Sequence, residues 1–479
     1  MVHPLDRLGL GAVGDLLPAR LLDDMIDRCG RRQQRVRALP ARVTLYFTLA
    51  LWFYPGKGYA EVLLELFRQL RRDIGIGQFR VPTVSAAVKA RRRLGREPLQ
   101  MLFRSLCGTQ ADQLGPGMMA FGRTVALLKV SVDGTSLDVA DTSANRAAFG
   151  EPPRNGKAVG RYPKIRLVTL IASGTRAIID AAWGPLSTGE LSLMEKLVRR
   201  GAIRPGMIVL ADRYYCGHPQ VAQVVAAGAD LLFRATSTRV LPPVRELPDG
   251  SYLSVLLAPN LPTKGDRHRA IGDRCPRLGI KKRRERGMLV RVVEAEITVV
   301  PEQGETRCES YRLITTLLDP DVASARDLVT LYHQRWESEV GFADLKTYLR
   351  GGQSVLRSQS PDGVAQELYA LLVVYQLVQI ARARAARDHP AHDHLDPDRI
   401  SFTVVLRAII RTVGEDTGTS RLLHDVFKEV WSQPLLDRRS RAKPHELKGT
   451  PAFARAVASS PPGRITLKIA TRRPQVLEA

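Results

Sequence analysis

Tyr332, Arg335, Glu339 and Lys346 stand at offsets of 0, 3, 7 and 14 along the chain. At 3.6 residues per turn they share one face of a helix. An aromatic ring, a guanidinium, a carboxylate and an ammonium thus form one stripe. Such a stripe suits metal-assisted attack on a phosphate: the carboxylate holds a cation and the two bases hold a charged backbone. An amphipathic surface helix of mixed charge is the plain alternative. Two more carboxylates bear on the choice. Asp133 follows the apolar, β-compatible run 125–132 and precedes Gly134; Asp212 follows the short apolar run 207–210 and precedes Arg213. Carboxylates leaving the ends of neighbouring strands can converge at one sheet edge, and a helix beside that edge can supply a third. Hard oxygen ligands of this kind suit Mg²⁺ or Mn²⁺. Two such ions would clamp the attacking and leaving oxygens of an in-line displacement. Taken singly, Asp133-Gly134 reads as a turn that ends its strand, and Asp212-Arg213 as a local ion pair. Asp138 lies an odd number of positions from Asp133, so on a continuous strand it faces the other way. Asp141-Thr142 reads as a structural turn.

The elements that would carry these residues follow from periodicity. From Leu16 to about Gln113 the pattern is helical, with an apolar helix after Leu39-Pro40, another over 59–72, and a strongly basic one over 83–96. These faces could contact DNA or simply be solvated. From Val125 the character changes. Strands are expected at 125–132, 165–171, 177–183, 207–210 and 230–235, with helices at 190–200 and 218–227 between them. That alternation points to an α/β sheet. Between 237 and 308 the rhythm breaks into Pro-rich turns, a Lys/Arg-dense stretch over 264–286 and a strand over 289–300. This reads as an inserted β-rich module with a basic loop. The α/β pattern resumes at 311–318. One long helix is expected over 323–349, then apolar helices over 366–386 and 402–413. From about Arg438 the chain reads as a mobile basic tail.

The totals narrow the partners. Lys and Arg number 72 against 48 Asp and Glu, a net charge of +24. That excess favours a polyanion, because neutralising phosphates releases counterions; nucleic acid leads, with an anionic membrane surface as the lesser alternative. Cys29, Cys107, Cys216, Cys275 and Cys308 are scattered and odd in number, which fits reduced cytosolic thiols rather than a disulfide framework or a zinc site. The two most apolar runs, 43–54 and 368–381, are too short to span a bilayer, and the second carries Gln376 and Gln379. No secretory signal pattern opens the chain. A soluble, cytoplasmic protein is expected.

Read together, the motifs resemble those of the DDE transposases of the insertion-sequence-4 family of bacterial cut-and-paste elements. Leu39-Pro40-Ala41-Arg42-Val43 and the helix after it resemble that family's N-terminal domain. Val132-Asp133-Gly134-Thr135, with Asp141-Thr142 and Asn145 through Phe149-Gly150, resembles the first-aspartate block. Tyr162-Pro163-Lys164-Ile165-Arg166 resembles the strand after it, and Ala211-Asp212-Arg213-Tyr214-Tyr215 the second-aspartate block. Tyr332 to Lys346 carries the signature Y-x2-R-x3-E-x6-K without a gap. The resemblance covers roughly residues 16–385.

It implies an α/β, RNase H-like catalytic core interrupted by a β-rich insertion. The expected order is an N-terminal helical DNA-binding domain (1–120), the core's first part (121–236), the insertion (237–308), the core's second part (309–390) and C-terminal helices with a basic tail (391–479). By the resemblance Asp133, Asp212 and Glu339 bind two Mg²⁺ or Mn²⁺ ions. Tyr332, Arg335 and Lys346 hold the 5′-phosphate region of the transposon end, and Trp336 adjoins them, for DNA or for packing. The expected substrates are double-stranded terminal inverted repeats and target DNA. A homodimer would pair two ends, and no membrane is involved. On this resemblance a metal-bound water would cut one strand at each end, and the 3′-hydroxyl so freed would attack the opposite strand and later the target. Some relatives trap a flipped base on an aromatic of the insertion; here Tyr252 is the only Tyr or Phe of that stretch, and nothing marks it for the role. Two other readings use the same residues: a DNA-binding descendant without strand transfer, and a metal-dependent nuclease that cuts without joining.

Overall fold

Alternating and continuous apolar runs build the sheets, and one helix apolar on every side builds a core. The computed structural model describes residues 5, 8–33, 35, 39–74, 80–107, 120–121, 126–151, 154–155, 158–159, 161–258, 287–300, 307–333, 335, 341–342, 344–349, 355–390, 395–414, 421–433, 435 and 464–469. They fall into two units. The first takes Met1–Met119, Val132–Leu197 and Glu337–Leu435; the second takes Ala120–Ser131, Val198–Trp336 and Leu436–Ala479.

The first unit is organised around the helix Pro361–Arg387. Ser360 caps it, accepting from Gly363 N–H at 3.3 Å, and Pro361 sits where no helical N–H is needed. A helix apolar all round must be buried. This one is long and apolar enough to cross a membrane, and its apolar stretch is wholly buried in the structure. Two of its glutamines find partners inside: Gln366 Nε2 donates to Arg91 O (2.9 Å) and Gly95 O (2.7 Å), and Gln376 accepts from Ile178 N–H (2.8 Å). Helices Ala41–Phe53, Val84–Leu94 and Glu97–Leu106 share this core with strands Lys164–Ala172 and Ile178–Pro185. The expected boundary at 120 therefore separates no independent core: residues from Leu5 to Leu106 bury themselves against the later segments. The expected helix over 59–72 is two, Tyr59–Leu66 and Arg68–Ile74.

In the second unit, residues 128–131 of the strand Leu127–Val139 pair in parallel with Met207–Ala211, which pairs in parallel with Asp230–Arg234. Antiparallel strands follow: Arg307–Thr315 against Asp230–Arg234, then Gly287–Val300, Tyr252–Leu257 and Arg245–Glu246. Helix Ala325–His333 packs on this sheet through Leu328, Val329, Leu331 and Tyr332.

Several expectations need correcting. Asp133-Gly134 does not end a strand. The strand runs to Val139, because its later residues find a parallel partner in Val355–Leu356 (Val355 opposite Asp138) and a neighbour in Lys164–Ala172. The boundary at 308 falls inside Arg307–Thr315, a strand that pairs antiparallel with Asp230–Arg234; the basic loop, 264–286, lies outside the described residues. The tail carries a strand: Arg464–Ile469 pairs antiparallel with Gly287–Val300, Ala295 opposite Ile469. In sequence, Ile465, Leu467 and Ile469 alternate with polar residues, the period of a strand. The long helix over 323–349 is divided. The α-helix ends at His333, Arg335 N–H turns back to Tyr332 O (3.0 Å), and Asp344–Leu349 winds as a π-helix. The i→i+3 contact tightens the chain at Arg335 and the π-turn widens it over Asp344–Leu349; residues 336–340, Glu339 among them, lie outside the described residues.

Candidate active site

Asp133 lies within Leu127–Val139, half-buried, its Oδ1 accepting the N–H of Gly134 at 2.8 Å. Gly134 lies inside the strand, and a Cβ on it would stand 2.5 Å from Glu190 Cδ, so that side chain would have to shift. Glu190 opens helix Glu190–Arg199 and lies 3.7 Å from Arg166, which also donates to Thr188 O at 3.3 Å. Lys164 meets Asp138 at 2.5 Å, which engages that carboxylate locally. Asp141 is bound twice by Arg146, both at 2.6 Å. Thr142 caps Ser143–Phe149, and Asn145 Nδ2 donates to Ala140 O (2.9 Å) and Ser358 O (3.0 Å). The residues after the first aspartate thus clamp the chain that carries it.

Asp212 follows Met207–Ala211. Its Oδ1 accepts Tyr214 N–H at 2.8 Å and its carbonyl accepts Tyr215 N–H at 3.2 Å, an Asx-turn that fixes the carboxylate's orientation. Tyr215 is buried and Tyr214 exposed.

Tyr332, expected on DNA, is only 4% exposed. Its hydroxyl donates to Ala211 O at 3.3 Å, directly before Asp212, and its ring meets Tyr311 edge-on at 5.7 Å. Burial pushes its pKa up to about 12, against the lowering by Arg335 and Arg234, so the phenol stays a donor at any physiological pH. A ring held this way braces Asp212 from within and offers DNA little surface. Tyr332→Phe should cost about 1 kcal/mol of stability by removing that donor from a buried carbonyl. Urea unfolding checks this, and a variant as stable as the parent would remove the brace.

Arg335 is half-buried, its guanidinium 5.8 Å from the Tyr332 ring centre. Lys346 has its main chain in Asp344–Leu349, with its side chain outside the described residues; Glu339 and Trp336 lie outside them altogether. Sequence reasoning missed Asp344, buried 3.7 Å from Arg176, whose own φ is +56°. Tyr375 donates to Arg176 O at 2.9 Å. Together they anchor the π-helical turn that bears Lys346. The available signal was an acid inside the signature with no role in it. Among the described residues no three His, Cys, Asp or Glu gather as a metal site.

Residues 7–104 match the family model described as insertion element 4 transposase N-terminal, and residues 127–377 match the transposase DDE domain. The chain is 24% identical over 453 residues to the transposase InsG for insertion sequence element IS4 of Escherichia coli (strain K12), covering 93% of each. It is 26% identical over 131 residues to the putative transposase InsZ of the same organism, covering 27% of this chain and 42% of that one. A cryo-EM structure of a piggyBac transposase synaptic complex with hairpin DNA overlaps 94% of this chain and 87% of its own, at 11% identity and a TM-score of 0.40. The chain belongs to the insertion element 4 family of DDE transposases, enzymes that cleave DNA and transfer its strands.

Proposed function

We propose that Asp133, Asp212 and Glu339 hold the divalent ions, two Mg²⁺ or Mn²⁺, with which this transposase works. The observation that carries the reading is a register. Ser131 pairs opposite Leu210, and Asp133 and Asp212 each follow two residues later. Glu339 joins them through the unbroken signature that contains it. The donor chemistry fits: carboxylate oxygens are the ligands such ions take. When bound, the ions activate the attacking oxygen and stabilise the leaving one. The protein's own share is position. Backbone N–H groups orient Asp133 and Asp212, and Tyr332 braces the residue before Asp212.

The strand order supports an RNase H-like core. An antiparallel pair, Lys164–Ala172 with Ile178–Pro185, follows Leu127–Val139, and two parallel strands come after it. We assign the β-rich stretch that starts near residue 237 and runs into the strand Arg307–Thr315 as its insertion, and the N-terminal helices as a DNA-binding segment. The substrates are the element's double-stranded terminal repeats and target DNA, bound by a homodimer that pairs two ends. Tyr252 is not free to trap a base: it is buried, its hydroxyl within 3.0 Å of Glu294 and accepting from Arg312 at 3.3 Å. Arg335 and Lys346 hold the end's backbone. Lys346→Ala should weaken end binding and flatten the plot of log affinity against log salt by about one. An unchanged slope across a salt titration would take Lys346 off the phosphates.

The test is cleavage of a labelled duplex carrying the element's own end, in Mg²⁺ and in EDTA, beside an unrelated duplex. Metal-dependent nicking at the element boundary is expected. Equal cutting of the unrelated duplex would make the protein a general nuclease. Tight end binding with no cutting in Mg²⁺ or Mn²⁺ would make it a binding-only descendant.

A further inference from the structure

We infer that Tyr214 is a stacking platform for a nucleobase next to the phosphate being cut. It is 54% exposed, and the only aromatic among the exposed large apolar side chains of the described residues. An aromatic face left in water gains by finding an apolar, flat partner.

Its position is set in advance. Tyr214 N–H donates to Asp212 Oδ1 at 2.8 Å, so one turn fixes both the ring's attachment and the neighbouring carboxylate. Behind it the buried Tyr215 stands perpendicular, ring centres 5.8 Å apart. A ring so braced loses little freedom when a partner stacks on it.

The partner is a base rather than a protein side chain for three reasons. The chain carries a net charge of +24, exposed Arg213 directly precedes Tyr214 in the chain, and Tyr214 stands two residues from a carboxylate assigned to the cut phosphate. Every base presents a π-face, so such a platform grips without reading sequence. The inference rests on the assignment of Asp212 as a metal ligand.

The test uses the full-length protein and an end duplex with 2-aminopurine at the positions flanking the boundary, in EDTA so that no strand is cut. Wild type and Tyr214→Phe should quench the probe, and Tyr214→Ala should not. Tyr214→Ala should also bind the end about tenfold more weakly, the scale of one lost stack, with its melting temperature unchanged. Quenching and affinity equal to wild type in Tyr214→Ala would overturn the proposal. So would a Tyr214→Phe variant as weak as Ala, which would assign the contact to the hydroxyl. Asp212→Asn, measured alongside, separates the two assignments. Cutting by that variant in Mg²⁺ would sink the ligand role of Asp212, while the probe still reports the stack by itself.

Discussion

Asp212→Ala is expected to bind the element end and fail to cut it, with a loss of at least about 100-fold, more than an outer partner of a metal site costs. The same holds for Asp133→Ala and Glu339→Ala. Binding survives because phosphate contacts by Lys and Arg supply the affinity, and removing an acid takes a repulsive charge away from the DNA. Asp212 has a second occupation that Ala also destroys: it accepts Tyr214 N–H and so holds the turn. Asp212→Asn separates the two. Its amide oxygen still accepts that N–H, so the turn stays, but the charge that attracts a divalent ion is gone. If charge is what the site needs, Asn is as inactive as Ala. If the turn is what matters, Asn cuts nearly as well as wild type. Asp133→Asn makes the same separation at Gly134 N–H. We expect both Asn variants to bind the labelled end like wild type in a filter assay and to leave it uncut in Mg²⁺. Nicking by either Asn variant would remove that residue from the metal site.

Much of this was legible locally. The strand expected over 165–171 is Lys164–Ala172, and the helix expected over 218–227 is His218–Ala226. Period and turn residues mark such elements, and they need no distant partner to be read. What was misread depends on partners far along the chain. Asp133-Gly134 has the composition of a turn, yet the strand continues because Val355 and the Lys164–Ala172 strand pair with it. The Pro- and Ser-rich tail hid an alternating hexapeptide that only Gly287–Val300 turns into a strand. Tyr332 looked like a ligand for DNA because its spacing matched Arg335 and Lys346. Spacing cannot tell that Ala211 O waits for its hydroxyl inside the unit. The acids and bases of the signature were visible as chemistry; which of them face solvent was not.

Arg291→Met should lower stability by roughly 3–5 kcal/mol, the cost of removing one partner of a buried ion pair. That is a large share of the 5–15 kcal/mol typical of a folded protein. Arg291 is 0% exposed on the strand Gly287–Val300. Its guanidinium pairs with Asp249 and donates to Ser251 Oγ (2.8 Å), Ala323 O (2.7 Å), Leu317 O (3.3 Å) and Asp319 O (3.3 Å). Met fills the volume and leaves those acceptors and the carboxylate without it. Asp249 in turn accepts Ala325 N–H at 2.7 Å, the first residue of helix Ala325–His333. Burial pushes the Asp249 pKa up, but Ser251, Ala325 N–H and Arg291 together hold it below the usual carboxylate value. A carboxyl depressed in the fold stabilises it above the unfolded value of about 3.9, and that contribution is lost as pH falls through the folded value. In Arg291→Met the carboxyl loses its cation and its folded pKa rises. Acid unfolding should then begin at higher pH than in wild type, which urea titrations at stepped pH would show. Equal acid midpoints would mean that Arg291 does not set the charge of Asp249. The consequence reaches the chemistry through one helix: its first N–H is held by Asp249, and its last turn carries the Tyr332 hydroxyl to Ala211, the residue before Asp212. Under mild conditions, where the variant is still folded, end cleavage should therefore fall before end binding does.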